Sequence, residues 1–367
     1  PFFILAGNIM EKAGISTKLI KFAQSFVGHI NGGLALVCVL VACFFAAISG
    51  SGPATVAALG GIIIPAMNSV GYSKGDASAL MATAGGIGII IPPSIPMVVI
   101  AGICGISTGK LFLGGIIPGI LCGLAQMIVS YFLAKKEGVP KEPGHFTIGP
   151  VLHGLWESWP ALLMPIIIVG TITMGIVSPT EAGVIAVVYG LFAGGIIYRE
   201  LKWEDIKFAF AETVRTSGRI FIVIGAAKLY TVMLTTAGFD KWVAKTMLGF
   251  STNPTVILIM ILLIFFIVTM FMESIATLTL FMPILYPIAL GVGIKPIVLS
   301  VLITVVIGIG LVTPPVGMCI YVACDLMDTT VGEVFPTLVP FIAATFVCIA
   351  LMVAFPQLIL LPTYLMA

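Results

Sequence analysis

The sequence predicts an all-α, polytopic membrane protein built from an inverted repeat, with two re-entrant helical hairpins and two broken transmembrane helices. Its 367 residues are 60% hydrophobic and only 9% charged, and the mean hydropathy is +1.22. A soluble domain of ordinary composition carries about 25% charged residues. Because so few polar residues cannot cover a water-soluble surface, we expect most of the chain to lie in a lipid bilayer.

An ungapped internal repeat at an offset of 222 residues is the second observation behind this fold class. Most matched positions hold Gly or Pro, the residues that interrupt helices. The matches are Asn31 and Asn253, Thr55 and Thr277, Pro65 and Pro287, Gly71 and Gly293, Gly86–Gly88 and Gly308–Gly310, Pro92–Pro93 and Pro314–Pro315, and Pro118 and Pro340. Interruptions at matching positions of two apolar halves are typical of transporters that bind their cargo at broken helices.

Each half contains a pair of short apolar runs, which predicts a re-entrant hairpin. In the first half, runs at 34–48 and 54–67 flank the polar, glycine-rich segment 49–53. Each run would form about 22 Å of helix, which is short of the roughly 30 Å hydrocarbon core. Runs at 255–270 and 275–290 repeat this plan, with 272–274 at the tip. The alternative is that each pair consists of two short, tilted spans joined by an ordinary loop.

Two longer apolar segments, 76–106 and 296–326, should unwind in the middle. They contain the Pro pairs, and Pro removes a backbone donor and clashes with the preceding helical turn. We therefore predict breaks at 85–94 and 313–315. The remaining predicted elements are a helix end at 1–10, an amphipathic segment at 11–27, a span at 111–134, a polar segment at 135–158, a helical pair at 159–177 and 180–198, an amphipathic basic segment at 199–215, a span at 216–236, an amphipathic segment at 238–250 and a span at 333–361.

The basic residues orient this arrangement, because cytoplasmic loops carry an excess of Lys and Arg. Twelve fall on one side: Lys12, Lys18, Lys21, Lys74, Lys135, Lys136, Lys141, Arg199, Lys202, Lys207, Arg215 and Arg219. Four fall on the other side: Lys110, Lys241, Lys245 and Lys295. The first side is therefore predicted to be cytoplasmic. The two hairpins then enter from opposite sides, so the repeat is inverted.

The two hairpin tips and the two helix breaks should converge near the membrane midplane, where unwound backbone is tolerated if it lines a cavity or binds a ligand. Carbonyl and hydroxyl oxygens suit a hard cation such as Na⁺. The first predicted Na⁺ site comprises Ser49, Ser51, Gly88, Ile91 and Pro93. The second comprises Glu273, Thr277, Gly310 and Thr313. The alternative is that these Gly and Pro residues only kink packed helices.

Two charged residues at membrane depth are candidate functional residues, because burying a charge in the membrane costs free energy and is usually linked to function. Glu273 could ligate a cation, carry a proton or cap a helix of its hairpin. Lys228 lies in the middle of a predicted span, where it could pair with a carboxylate substrate, extend its amine to the interface or pair with an acid of another chain.

Several functional classes find no support in the sequence. The seven Cys are scattered without a CxxC pair, and His29, His145 and His153 form no predicted metal cluster. We find no nucleophile–base pair and no phosphate-binding loop, so we expect neither an enzyme nor a cofactor other than Na⁺ as coupling ion. The net charge of +2, without a basic cluster, gives no reason to expect nucleic acid as a partner.

Five motifs resemble the large membrane subunit of tripartite ATP-independent periplasmic (TRAP) transporters, a resemblance that extends over essentially the whole chain. They are FFAAISGSGPATVAALGGIIIPAM, ATAGGIGIIIPPSIPM, SPTEAG, MFMESIATL and GIGLVTPPVGM. The resemblance implies Na⁺-coupled import of a small organic acid, such as sialic acid or a C4-dicarboxylate, across the bacterial inner membrane. It also implies a periplasmic substrate-binding protein and a small membrane subunit, sometimes fused, as partners.

The family resemblance further implies an elevator-type transporter with a moving transport domain and a fixed scaffold. The transport domain would comprise 34–106 and 251–326, and the scaffold 1–33, 107–250 and 327–367. Because the sequence begins inside an apolar segment, we expect a longer natural protein. Helix N-termini favour anions, so a substrate carboxylate is expected at these residues: Ser51, Ser94, Ser274, Thr313 and Lys228.

Two features depart from what is frequent in the family. The second tip often reads Met-Asp-Thr, whereas here it is Met272-Glu273-Ser274. An Arg often found in the stretch matching 234–238 is absent. Candidate docking residues for the binding protein are Lys110, residues 178–180, Lys241, Lys245 and Lys295. The rival hypotheses are a binding-protein-independent dicarboxylate or anion exchanger of the same two-hairpin design, a membrane-embedded enzyme and a passive channel.

Overall fold

The computed structural model describes residues 1–139 and 147–366, and the regular structure in these residues is helical throughout. Lys141 and His145, which entered the sequence analysis, lie outside the described residues. The first helices are α1 (Phe2–Lys12), α2 (Ile15–Val27), α3 (Gly33–Ser49), α4 (Gly52–Ser69), α5 (Lys74–Gly86), α6 (Ile95–Cys104), α7 (Thr108–Lys136), α8 (Ile148–Thr173) and α9 (Pro179–Phe192). The others are α10 (Trp203–Thr236), α11 (Phe239–Phe250), α12 (Pro254–Thr269), α13 (Ser274–Gly291), α14 (Pro296–Gly310), α15 (Met318–Asp325), α16 (Val331–Ala354) and α17 (Gln357–Leu360). The all-α prediction is confirmed.

Six helices in the described part of the chain are long and apolar enough to cross a membrane, judged by length and composition. They are α7, α8, α9 with its π-helical continuation to Ile197, α10, α13 and α16. This number and the overall composition make the chain a multi-pass membrane protein.

The internal repeat is also visible in the helix boundaries. Helix α4 runs from Gly52 to Ser69 and α13 from Ser274 to Gly291, so both ends are displaced by 222 residues. Pro65 and Pro287 occupy equivalent positions inside these helices. The glycines that follow, Gly71 and Gly293, both have positive φ, at 111° and 84°. The repeat in the sequence is therefore a repeat of local structure.

Both predicted helix breaks are present. Helix α5 ends at Gly86, a 3-10 turn follows at Ile87–Ile89, and α6 begins only at Ile95. Helix α14 ends at Gly310, and α15 begins at Met318. Each interruption contains a Pro pair with a cis peptide bond, Pro92-Pro93 or Pro314-Pro315. The missing N–H groups and fixed φ of consecutive prolines prevent the helix from continuing.

The two halves interlock around these interruptions. Helices α3 and α4 pack against each other as one helical hairpin, and α12 and α13 as a second. The short helix α6 packs against α13 of the other half, and α15 packs against α4 in the equivalent way. The hairpins and broken helices thus form one packed unit.

Three predicted boundaries are wrong. The span predicted at 333–361 ends with α16 at Ala354, two residues before Pro356. Residues 199–215 and 216–236, assigned to an amphipathic segment and a separate span, form the single 34-residue helix α10 from Trp203 onward. The polar segment 135–158 is helical from Ile148, because α8 extends eleven residues before the predicted start at 159. Within α8 and α10 the hydropathy changes, but neither change coincides with a Pro pair that would end the helix. Backbone hydrogen bonding therefore continues.

Candidate functional site

A cavity of about 520 Å³ lies between the two hairpin tips and the helices α1 and α10. Residues 49–54 of the first tip and 273–275 of the second line it. The first break contributes Ile89 and Ile95, and the second contributes Leu311 and Met318. All four elements that the sequence predicted to converge therefore meet at this cavity.

A hydroxyl network organises the first tip. The Ser49 and Thr55 hydroxyl oxygens are 2.9 Å apart, and the Thr55 hydroxyl donates to the Ser51 carbonyl oxygen at 2.8 Å. Ser49 and Thr55 are both buried. These oxygens bridge the end of α3 and the first turn of α4, so they hold the two helices of the hairpin in a fixed relation.

The first tip also contacts the first helix break. Gly50 has φ +61°, and a Cβ atom at this position would lie 2.7 Å from the carbonyl oxygen of Pro93. Its own carbonyl oxygen accepts a hydrogen bond from Ile95 N at 3.3 Å. A side chain at Gly50 would therefore meet both a strained backbone conformation and a steric clash.

Gly88 completes the group of oxygens around the first tip. A Cβ atom at Gly88 would lie 3.0 Å from the Thr55 hydroxyl and 3.3 Å from the Ser51 carbonyl oxygen. The structure thus brings Ser49, Ser51 and Gly88 together, with Pro93 against the same tip. Of the predicted first Na⁺ set, Ile91 differs because its side chain faces Gly119 of α7.

At the second tip, the Glu273 carboxylate caps α13. One carboxylate oxygen accepts from Ile275 N at 2.8 Å and from Ala276 N at 3.3 Å, and the other accepts from the Ser274 hydroxyl. The first amides of a helix have no partner inside the helix, and a negative charge there also interacts favourably with the helix dipole. Of the three roles that the sequence left open for Glu273, the structure displays the cap.

The rest of the predicted second Na⁺ set is more dispersed. The Thr277 hydroxyl donates to the Glu273 carbonyl oxygen at 3.0 Å, and the Thr313 hydroxyl donates to Ile309 O at 2.7 Å. No hydrogen bond in the described residues joins Glu273 or Thr277 to Gly310 or Thr313. The connection 270–273 of this hairpin has four residues, whereas 50–51 of the first has two. The second tip therefore does not reproduce the compact arrangement of the first.

Two of the five predicted substrate residues, Ser51 and Ser274, line the cavity. Ser94, at the start of α6, is only 1% exposed and does not line the cavity. Its hydroxyl accepts from Met97 N and donates to Ile89 O. Thr313 is buried and does not line the cavity either.

Lys228, the fifth predicted substrate residue, lies outside this cavity. It is exposed on α10 and does not line the cavity. Arg219, which does line it, lies nine residues earlier on the same helix. At 3.6 residues per turn, nine residues correspond to about 180°, so the two side chains leave opposite faces of α10.

The wall formed by α1 and α10 is the part of the site that the sequence analysis missed. Its polar members are Asn8, Glu11, Lys12, Glu212, Thr216 and Arg219. Asn8 links the two helices, because its amide donates to the Thr213 hydroxyl at 3.0 Å. The three- and four-residue spacing of Glu212, Thr216 and Arg219 is a polar helical stripe that could have been found in the sequence.

Comparison with known proteins matches this chain over residues 1–358 to the family described as "Tripartite ATP-independent periplasmic transporter, DctM component". It is 40% identical over 343 residues to the isethionate TRAP transporter permease protein of Oleidesulfovibrio alaskensis, covering 94% of this chain and 54% of that relative. The chain thus spans about half the length of that relative. It is 36% identical to the C4-dicarboxylate TRAP transporter large permease protein of Pseudomonas aeruginosa, covering 100% of this chain and 86% of the relative. It is 35% identical to the sialic acid TRAP transporter large permease protein of Vibrio cholerae, covering 98% and 84%.

Proposed function

Because this chain belongs to the family of the DctM component of tripartite ATP-independent periplasmic transporters, we propose that it is the membrane permease of a Na⁺-coupled importer for a small organic acid. The family is one of transporter permeases and not of enzymes. The observation that carries the proposal is the cavity on which both hairpin tips and both helix breaks converge.

We place the acid group of the substrate at the first tip, where α4 begins. Ser51 and Glu273 occupy equivalent positions of the repeat, but only Glu273 caps the helix that follows it. The N-terminus of α4 has no side-chain cap, and it faces the cavity. A substrate carboxylate or sulfonate there would stand where the Glu273 carboxylate stands in the other half. The hydroxyl of Ser51 would supply a further hydrogen bond, and that of Ser274 would do so on turning away from Glu273, since both line the same cavity.

The proposed first Na⁺ site consists of Ser49, Ser51, Gly88, Ile91 and Pro93. Its support is the cluster of hydroxyl and carbonyl oxygens at the junction of α3, α4 and the first break. For Na⁺ these residues would supply neutral oxygen ligands and fix the tip.

The proposed second Na⁺ site consists of Glu273, Thr277, Gly310 and Thr313. Its support is the equivalent break after Gly310 and the position of Glu273 at the cavity. Here Na⁺ binding would require the tip to move toward the break.

We propose an elevator movement of residues 34–106 and 251–326 against a scaffold of 1–33, 107–250 and 327–367. The mutual packing of α6 on α13 and of α15 on α4 supports a single moving unit that contains both hairpins. In this proposal the hairpins are re-entrant and the repeats inverted. Lys12 and Arg219 belong to the basic residues assigned to the cytoplasmic side, so the cavity would open toward the cytoplasm in the conformation described.

The proposal assigns two partners, a periplasmic binding protein that delivers the acid and a small membrane subunit. Relatives are named for transport of isethionate, C4-dicarboxylates, sialic acid and 2,3-diketo-L-gulonate. The test is uptake of labelled isethionate, succinate, sialic acid and 2,3-diketogulonate into proteoliposomes that contain the complete membrane complex. We expect uptake of at least one acid only when the binding protein is present. Uptake that is independent of the binding protein would favour the exchanger.

Replacing Ser49 by alanine should weaken the first Na⁺ site. The change removes a buried hydroxyl from the network with Thr55 and Ser51. A single hydrogen-bonding group is worth about 0.5–1.5 kcal/mol, so the Na⁺ concentration for half-maximal uptake should rise about two- to twelvefold. Ser69→Ala is the matched control, because Ser69 lies exposed at the far end of the same hairpin. An unchanged Na⁺ dependence in Ser49→Ala would contradict the assignment.

A further inference from the structure

Arg219 stands out among the charged residues that line the cavity. There are five of them: Glu11, Lys12, Glu212, Arg219 and Glu273. Four have a partner within the described part of the chain, and Arg219 has neither a hydrogen bond nor an ion pair there. Arg219 is exposed, and it lines the same cavity as the two hairpin tips.

The other four charges are compensated locally. Glu273 caps α13, as described above. Lys12 lies 4.0 Å from the Glu11 carboxylate and 4.7 Å above the centre of the Phe208 ring. Glu212 lies 3.6 Å from Arg215 and accepts from the Thr216 hydroxyl at 3.4 Å. The cavity wall is therefore left with one positive charge that no residue of the described chain neutralises.

The helix geometry separates Arg219 from the neighbouring cations on α10. Glu212, Thr216 and Arg219 follow one another at spacings of four and three residues, so they share a face of the helix, and all three line the cavity. Arg215 does not line it and is already paired with Glu212. Arg219 is thus the residue of α10 whose position and charge both suit an anion in the cavity.

We propose that Arg219 binds the acid group of the transported anion from the α1–α10 wall and selects anions over neutral compounds of the same shape. This rests on the proposed function, because it takes the cavity as the route of the substrate. A guanidinium offers a planar set of N–H donors that match a carboxylate or sulfonate in a bidentate manner. The uncapped start of α4 lines the same cavity, so an anion there would meet positive potential from the helix N-terminus as well as from Arg219.

Arg219, the proposed anion anchor, lies on a helix of the proposed scaffold. Ser51 and Ser274 lie on the proposed moving unit. An elevator movement would therefore change the distance between the substrate and Arg219. The residue would bind the anion in the conformation described here and lose it when the hairpins move away. Arg219 would in this way set the affinity on one side of the membrane.

Arginine modification of the purified complete complex tests this without requiring transport. The chain has three Arg, at 199, 215 and 219, so phenylglyoxal labelling at each can be followed by peptide mass spectrometry. At constant Na⁺, we expect saturating isethionate, succinate, sialic acid or 2,3-diketogulonate to slow labelling of Arg219 about tenfold. Labelling of Arg199 and Arg215 should not change. Succinamide, the uncharged analogue of succinate, should leave Arg219 fully reactive.

Uptake by variants gives the second readout. Arg219→Gln should raise the concentration of the acid for half-maximal uptake about tenfold, and Arg219→Lys should restore part of the affinity because it keeps the charge but not the bidentate geometry. Arg199→Gln, at an exposed position outside the cavity lining, should resemble the unmodified protein.

The outcomes separate this inference from the proposed function. If all four acids and succinamide leave the labelling of Arg219 unchanged, or if succinamide protects as well as succinate, the anion anchor is excluded even when uptake is normal. If an acid protects Arg219 but no acid is taken up, the anchor stands and the importer proposal fails. Protection by isethionate alone identifies a sulfonate as the ligand, and protection by succinate alone identifies a carboxylate.

Discussion

Replacing Glu273 by alanine is expected to reduce the initial rate of acid uptake about tenfold or more. A loss of about 1.4 kcal/mol in the stability of the site corresponds to a factor of ten. The carboxylate accepts hydrogen bonds from Ile275 N, Ala276 N and the Ser274 hydroxyl. Hydrogen bonds to charged groups are worth about 1.5–3 kcal/mol, and loss of a helix cap costs about 0.5–2 kcal/mol. The first turn of α13 forms one edge of the cavity, so fraying it would disorder the proposed substrate and Na⁺ sites.

Two further variants distinguish the contribution of Glu273 as a cap from its charge. Glu273→Gln keeps an oxygen acceptor of similar size and should retain more uptake than Glu273→Ala. The matched control is Asp205→Ala, because Asp205 accepts from Lys202 N at 2.9 Å at the start of α10 and does not line the cavity. Asp205→Ala should leave uptake unchanged per folded molecule. If Glu273→Ala transports as well as Asp205→Ala, the second tip has no part in the site.

Adding a methyl group at Gly86 or at Gly308 is expected to destabilise the protein strongly. The two glycines are equivalent in the repeat, and α5 and α14 approach each other closely there. A Cβ atom at Gly86 would lie 2.8 Å from the Gly308 carbonyl oxygen, and a Cβ at Gly308 would lie 2.8 Å from the Gly86 carbonyl oxygen. Overpacking of this kind costs about 1–3 kcal/mol. We expect Gly86→Ala and Gly308→Ala to lower the Tm of the purified complex by about 5 °C.

Gly102→Ala is the control for this pair. Gly102 lies inside helix α6 and a Cβ atom there would meet no neighbour within 4 Å. Because alanine favours a helix over glycine by about 1 kcal/mol, its Tm should stay equal or rise. The close approach of the two halves at these glycines would be refuted if all three variants unfolded at the same temperature.

The parts of the fold that follow from local patterns could be predicted from the sequence. Pro92-Pro93 and Pro314-Pro315 interrupt their helices because two consecutive prolines remove two backbone donors, whereas the single Pro65 and Pro287 lie within helices. The 222-residue repeat likewise predicted that the second helices of the two hairpins would match, and α4 and α13 do so at both ends.

The features that depend on packing between distant segments could not be predicted in the same way. The continuity of α10 was missed because hydropathy falls at its N-terminal half while the helix persists. Arg219 was assigned only to the cytoplasmic set of basic residues. Its position in the cavity wall follows from how α10 packs against α1 and α13, and a polar stripe in the sequence does not show what that helix face meets.

The site shows the same division. Ser49 and Gly88 lie close together because the hairpin tip packs against the first break, and their role as a Na⁺ site stays a prediction. Lys228 was placed at the substrate from its depth along the chain alone. Its rotation about α10, half a turn from Arg219, directs it away from the cavity. A hydropathy pattern shows how deep a residue lies in the membrane. Whether its side chain faces the cavity depends on how the neighbouring helices pack.

The central claim is that a Na⁺ gradient drives an organic acid through the cavity between the hairpin tips and the α1–α10 wall. The most direct test is accumulation of the labelled acid by proteoliposomes with the complete complex and its binding protein, under an inward Na⁺ gradient. In the comparison, K⁺ replaces Na⁺ at the same membrane potential. We predict accumulation above the external concentration with Na⁺ and none with K⁺. Equal accumulation in the two conditions would contradict the proposed Na⁺ sites and the coupling built on them.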